Sequence, residues 1–421
     1  MARQQRPVPA TITPSKALSV YDHTMLRIAI KMLVGNRAKY LGLLVGISFT
    51  SFLVAFALSY LAGFLTEGFA LISENPQADI WVMDPAVNAT EHTTNMPASA
   101  LQRVRSIDGV RSAVPLALGD TEVHFANGQF QSFQVIGFDG PTLDGLPALA
   151  GGIPRSVLRT PDAGAVNPGG TEGKLQTPVS KQDQWPRRPH LEVPTHRLRP
   201  GDIVLVNGQR VRIVAQARSL PRYPPRPLLY TTYTNALRIL PPEQHRLTFV
   251  LATVAPGASP TVVARRIEAR TGLRARTRSE FKQDTVWWFL LNSEDVGDMA
   301  SMIWIAMLVG FGVTGVMLYM FTEENLGQYA VLQAVGATPR LLTAMILVQA
   351  AVCAVLGTGI GLGVCAIVGR VAAAEADYPF RMMWFAALIG GGMVVLVSIV
   401  AALISMRPVF RLQPASVFAG R

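Results

Sequence analysis

Four stretches of this chain carry no Asp, Glu, Lys, Arg or His: Leu41 to Phe64, Met299 to Phe321, Leu341 to Val368, and Met382 to Met406. About 20 apolar residues, rising 1.5 Å each, cross the hydrocarbon core of a bilayer, so each run is a candidate spanning helix. The charge deficit is concentrated in these blocks. Only 15% of the 421 residues are charged, against about 25% in a soluble domain. Ionisable groups inside spans are the usual mark of proton relays and ion-coupled transport, so their absence argues against a secondary transporter. The first run starts too far from the N-terminus for a cleavable signal and lacks a small-residue cleavage pattern, so it is expected to stay as an anchor.

Basic residues in short loops set orientation. Arg27, Lys31, Arg37 and Lys39 precede the first run, and Arg407 and Arg411 follow the fourth. Both termini are therefore expected in the cytoplasm, with Glu323 to Arg340 also cytoplasmic and Glu67 to Asp298 outside. The expected plan is membrane α-helical: residues 1–40 a cytoplasmic N-terminus with an interfacial helix, and 41–66 the first span. An extracytoplasmic α+β domain occupies 67–298, between helices 1 and 2. The remaining spans are 299–321, 341–368 and 382–406, within a unit running from 299 to 421. A cytoplasmic helix over 323–340 joins spans two and three. In "MLRIAIKMLVGNRAKY", Arg27 and Lys31 lie opposite Leu26, Ile30 and Leu33, as in a helix lying in the membrane surface.

The external segment alternates like strands at "ADIWVM" and "SFQVIGF", and "PASALQRVRSIDGV" reads as a short helix. Asn207-Gly208 joins two strands in a tight hairpin, and Asn127-Gly128 supplies a second turn. "TFVLATVAPGASPTVVARRIEARTGLRARTRSEF" reads as strand, helix, strand, so one helix-strand arrangement is used twice, near 79–138 and 247–281. Residues 151–200, rich in Pro and Gly, read as an extended or partly disordered insertion.

No nucleophile elbow and no H-E-x-x-H pattern occur. Gly169 to Leu175 superficially resembles a phosphate loop, but it is one residue short and ends in Leu175 where a Ser or Thr must hold magnesium. His190 and His196 read as solvated loop residues, and Cys353 and Cys365 as small apolar packing residues within the third span. No catalytic, cofactor or metal site is expected. Only six of the 38 basic residues behind the net charge of +11 are lysine, and no basic-aromatic interleave appears, so nucleic acid is not an expected partner.

The stretch between spans two and three is the informative one. Glu323 and Glu324 open it. Tyr329, Leu332, Gln333 and Gly336 then fall at spacings that put an apolar edge on one helix face. Gly336 ends that helix and Pro339 stops it continuing. Such a helix is either a docking handle for a cytoplasmic protein or an amphipathic loop on the lipid surface. Gly42 and Gly46 in the first span, and Gly357 with Gly361 and Gly359 with Gly363 in the third, are small-xxx-small pairs that let helices approach. Trp287 and Trp288, just outside the second span, read as interfacial anchors.

"GQYAVLQAVGATPRLLTAMILVQAAVCAVLGTGIGLGVC" resembles the C-terminal permease domain of the FtsX/MacB-type ABC transporter family. The four-span plan and the closing "RLQPASVF" are similar to that family too. With "NRAKYLGLLVGISFTSFLVAF" at the first span, they point to its DevC/HrtB-like branch. The resemblance implies a non-catalytic permease subunit of an inner-membrane exporter, working as a homodimer with a separate ABC ATPase that holds the ATP and magnesium. It implies a coupling helix in which Tyr329, Leu332, Ala334, Gly336, Ala337 and Thr338 match the family's motif. Gln328 stands where an acid is common, with Glu323 and Glu324 nearby to replace it. It also implies hydrophobic or amphiphilic cargo and leaves room for a periplasmic adaptor. Its alternative is an FtsX-like transmitter that activates an external cell-wall hydrolase without transport. A ligand-binding sensor without any ATPase is a further rival.

Overall fold

The computed structural model describes residues 31–33, 35, 37–125, 129–167, 176–178, 195–241, 247–376 and 378–406. Outside them lie half of the expected interfacial helix, the Asn127-Gly128 turn, the phosphate-loop look-alike, His190, Arg407, and the closing residues 411–418.

Among the described residues, four helices are long and apolar enough to cross a membrane: Tyr40–Gly68, Glu294–Glu324, Pro339–Ala374 and Trp384–Ser405. The first lies within helix α1 (Arg37–Gly68). The chain divides into two compact units, one built from Met1–Tyr60, Gly297–Arg370 and Arg381–Arg421, the other from Leu61–Val296 and Val371–Phe380.

The second unit is the inserted α+β domain. It begins with α2 (Ala70–Glu74), β1 (Ile80–Met83), α3 (Ser99–Arg105), β2 (Val110–His124), β3 (Phe130–Phe138) and β4 (Ala148–Leu149). Strands β5 (Ala163–Asn167), β6 (Gln176–Pro178), β7 (Thr195–Arg197), β8 (Ile203–Val206), β9 (Gln209–Arg218) and β10 (Leu228–Thr232) follow. It closes with α4 (Tyr233–Ile239), β11 (Phe249–Val254), α5 (Pro260–Thr271), β12 (Arg274–Thr277) and α6 (Arg278–Asn292).

The β1-α3-β2 and β11-α5-β12 segments are the helix-strand arrangement used twice. Their strands lie in the order β12-β1-β11-β2, all antiparallel. The pleat sends alternate side chains to opposite faces. Ile80, Val82, Val250 and Ala252 therefore meet α3 and α5, while Trp81, Phe249 and Leu251 meet Phe281 of α6 on the other face.

From β2 the sheet continues through β3, β10, β5 and β9, and β8 pairs with both β9 and β2. Six strands thus close into a ring around Val123, Phe133, Val166, Val204, Ile213 and Leu229, with α4 contributing Ala236 and Ile239. Gly137 in β3 sits against α4 so closely that a Cβ there would lie 2.4 Å from that of Ala236.

Asn207 and Gly208 both take positive φ, 48° and 75°, as a two-residue hairpin requires. Of the expected insertion over 151–200, residues 168–175 and 179–194 lie outside the described residues, and the described part holds more regular structure than an extended loop. Within it β5 is a buried strand pairing with β10 and β9, its small residues Ala163, Ala165 and Val166 packed in the core. Small side chains in a Pro- and Gly-rich stretch gave no strand signal, although a crowded position between two strands suits them. His196 is not a solvated loop residue either: its Nε2 lies 3.0 Å from both carboxylate oxygens of Asp202.

Candidate functional site

The second span helix, α7 (Glu294–Glu324), runs three residues past the expected end of its apolar run, so Glu323 and Glu324 cap it rather than open a new helix. Both are exposed. Acids at a helix C-terminus oppose the macrodipole, typically by 0.3–1 kcal/mol each.

Asn325 breaks the helix, its Nδ2 donating to the Phe321 carbonyl at 2.7 Å. The short helix α8 (Leu326–Ala334) follows. Its end is a complete Schellman turn. Gly336 has φ 106° and donates to Gln333 O at 3.0 Å, while Ala337 donates to Leu332 O at 2.9 Å. Ala337 and Leu332 also meet in one apolar cluster, the contact this motif favours.

Pro339 does not terminate α8, which has already ended. It is the first residue of the third span helix, α9 (Pro339–Ala376), where its missing N–H costs nothing. Thr338 is the preceding cap, its Oγ1 3.4 Å from Leu341 N. Gly336 to Pro339 is therefore a stop followed directly by a start, which holds α8 in a tight corner between two membrane helices. The fourth span helix is α10 (Trp384–Ser405).

Burial divides the expected coupling residues into two sets. Tyr329 is fully buried and Leu332 half-buried, packed with Leu342, Met345, Ile346 and Met406 of the same chain. The Tyr329 hydroxyl donates to Gln349 Oε1 in α9 at 3.3 Å, and burial pushes its pKa up to about 12. The apolar edge read from periodicity therefore faces inward and fixes α8 to α9. The opposite face carries Gln328, Val331, Ala334 and Val335 in the open, with Val331 50% and Val335 83% exposed. Val331 and Val335, four residues apart, form a second apolar edge that the sequence reading did not single out. A helix between two spans has two apolar edges, and periodicity alone does not say which one its own chain covers.

The glycine pairs also separate. A Cβ on Gly361 would lie 2.4 Å from Ser48 O, and one on Gly357 2.8 Å from Ile47 Cγ2, both in α1. A Cβ on Gly46 would meet Val313 Cγ1 at 2.7 Å, whereas Gly42 has only ordinary contact with Met317. Nothing lies within 4 Å of a Cβ on Gly359 or Gly363. Trp287 is exposed, while Trp288 is half-buried with its ring stacked on His92 at 6.2 Å. The described residues hold no group of three or more His, Cys, Asp or Glu that would ligate a metal.

An amphipathic corner held between two apolar helices, on a chain whose inserted domain follows the first span, defines a membrane protein with one exposed apolar edge on a short helix between two spans. Residues 300–414 match the family model of the FtsX-like permease C-terminal domain. Among solved structures the chain is similar to the extracellular domain of the noncanonic ABC-type transporter YknZ from Gram-positive bacteria. The identity is 12% over 48% of this chain and 99% of that one, with a TM-score of 0.31. The periplasmic region of MacB from Actinobacillus actinomycetemcomitans is 13% identical over 52% of this chain and 96% of that one, TM-score 0.34. A domain of a permease protein from Porphyromonas gingivalis gives 14%, 48%, 89% and 0.29 in the same order. No curated protein matches the chain.

Proposed function

We propose that this chain is the permease subunit of an ABC-type exporter in the bacterial inner membrane, with both termini in the cytoplasm. Two copies pair, and each seats α8 on a separate ABC ATPase that carries the ATP and magnesium. The single observation behind this reading is the exposed Val331 and Val335 face on a helix otherwise locked to its own spans. An apolar docking pair of that kind, with Glu323 and Glu324 exposed at the adjacent corner, suits a partner groove with a basic rim. Closure of the ATPases pushes α8, and the contact of Tyr329 with Gln349 passes the push to α9. The inserted domain, outside the cell membrane, then expels a hydrophobic or amphiphilic cargo, alone or through a periplasmic adaptor.

The test is ATP hydrolysis by the reconstituted permease and ATPase in proteoliposomes. Stimulation by added amphiphiles, with their ATP-dependent loss from the membrane, is the expected result. Stimulation only by an external protein, with no cargo movement, supports the transmitter instead.

A further inference from the structure

One groove of the inserted domain has a chemistry that the docking helix does not use. Its volume is about 450 Å³, and Ile203, Val214, Arg210, Arg212 and the turn through Asp162 line it. Two backbone irregularities shape it. Opposite β5, strand β9 carries Val214 as an extra residue, Gly164 pairing with Ile213 and Ala165 with Ala215. Such a bulge re-aims the side chains around it. Asp162 holds φ 59° and accepts a backbone hydrogen bond from Arg212 at 2.8 Å, which fixes the turn against the bulged strand.

The charges there do not cancel. The Asp162 carboxylate is taken by Arg238 at 3.1 Å. Arg210 and Arg212 have no ion-pair partner among the described residues, and both are exposed. Beside them the outer face of the ring carries exposed apolar side chains. Ile203 pairs directly with Arg212, Leu205 with Arg210 and with His124, and His124 with Phe130. Ile203 is 50% exposed, Leu205 42% and Phe130 62%. With strands about 4.8 Å apart, Phe130 lies about 10 Å across the sheet from Leu205. Glu122, 3.7 Å from His124 Nε2, marks the acidic limit of this surface.

We propose that the groove at the β9 bulge binds the anionic head of a single-chain amphiphile, whose tail lies over Ile203, Leu205 and Phe130. Two guanidiniums are matched to a carboxylate or phosphate by charge and by hydrogen-bonding geometry. The volume falls in the range of small-ligand pockets. An apolar surface next to two exposed cations selects a molecule with both characters over a plain anion. For its purpose, as a cargo site, the inference rests on the export reading; its chemistry does not.

The experiment uses the full chain in phosphatidylcholine nanodiscs without any ATPase, so its failure leaves the export reading standing. The probe is a single-chain carboxylate carrying a diazirine near its tail, crosslinked by light and mapped by peptide mass spectrometry. Label is expected at Phe130 and within Ile203 to Val214. An unlabelled carboxylate of the same chain should compete, and its choline-headed analogue and inorganic phosphate should not. Arg210→Glu with Arg212→Glu should lower the label at this site about tenfold, whereas Arg218→Glu, on the same strand beyond the bulge, should leave it unchanged. The wild-type comparison of head groups needs no variant to fold. Label confined to the membrane helices overturns the proposal, as does equal competition by the choline-headed analogue. Competition by phosphate alone, or labelling indifferent to the double substitution, overturns it as well.

Discussion

Gly361→Ala and Gly363→Ala, two residues apart on α9, should have opposite effects. At 361 the new methyl would lie 2.4 Å from Ser48 O, 2.7 Å from Ser51 Cβ and 2.9 Å from Phe52 N. Two of these are backbone atoms, so no rotamer change relieves the clash. With carbon contacts settling near 3.5 Å, α1 and α9 must separate by roughly 1 Å. That shift also stretches the bond from Ser51 Oγ to Thr358 O, now 3.3 Å. Overpacking of this kind costs about 1–3 kcal/mol. At 363 the methyl meets nothing within 4 Å, and Gly→Ala in a helix interior gains about 0.5–1 kcal/mol. The pair should therefore differ by about 2–4 kcal/mol when unfolding is followed in bicelles by SDS titration. Equal losses would refute the seam between α1 and α9. A loss confined to Gly363→Ala would place the tight contact between copies of the chain instead.

Tyr329→Phe removes one hydrogen bond and should cost about 1 kcal/mol, while Tyr329→Ala empties a buried aromatic site at about 3–5 kcal/mol; thermal denaturation of the detergent-solubilised chain checks the order. The buried Arg222 lies 2.7 Å from Glu74, whose other oxygen accepts from Leu220 N at 2.6 Å. Glu74→Leu strands that buried cation, so it should destabilise the inserted domain by about 3–5 kcal/mol and be partly rescued by adding Arg222→Met, read by limited proteolysis of the domain. Thr277 and Glu280 form a capping box at the start of α6, and Thr277→Ala should cost about 1 kcal/mol. The bond from the Thr277 backbone holds the Glu280 carboxyl below its ordinary range. The folded state thus prefers the ionised acid. Its contribution is present above the usual carboxylate pKa and is lost as pH falls through the lowered value. The stability gap between wild type and Glu280→Gln should close on acidification, and a gap that widens would contradict the assignment.

Much of the architecture is written in the sequence because its signals are long or chemically singular. Uncharged runs of span length give four helices, Asn207-Gly208 gives a hairpin, and Gly336 to Pro339 gives a helix stop joined to a helix start. The misses have physical causes. β5 is made of small residues that carry no alternation, yet they fit between two strands. β10 pairs parallel to β3 across a long connection, and no local pattern reports such a partner. Which edge of α8 its own chain covers is not legible because both edges are apolar, and only packing against Leu342, Met345 and Ile346 decides it. The ligand-sized groove depends on a bulge at Val214, which is a matter of register and leaves no mark in composition.

Copurification of an ABC ATPase with the full chain tests the docking helix most directly. Burying the exposed parts of Val331 and Val335 is worth about 2 kcal/mol, or roughly thirtyfold in affinity. The wild-type chain and Tyr329→Phe should both bring down a nucleotide-hydrolysing ABC subunit in equal molar amount. Val331→Glu with Val335→Glu should lose it while keeping the same unfolding profile. An ATPase retained by the double variant, or none with the wild-type chain after crosslinking, would contradict α8 as the handle through which ATP drives this protein.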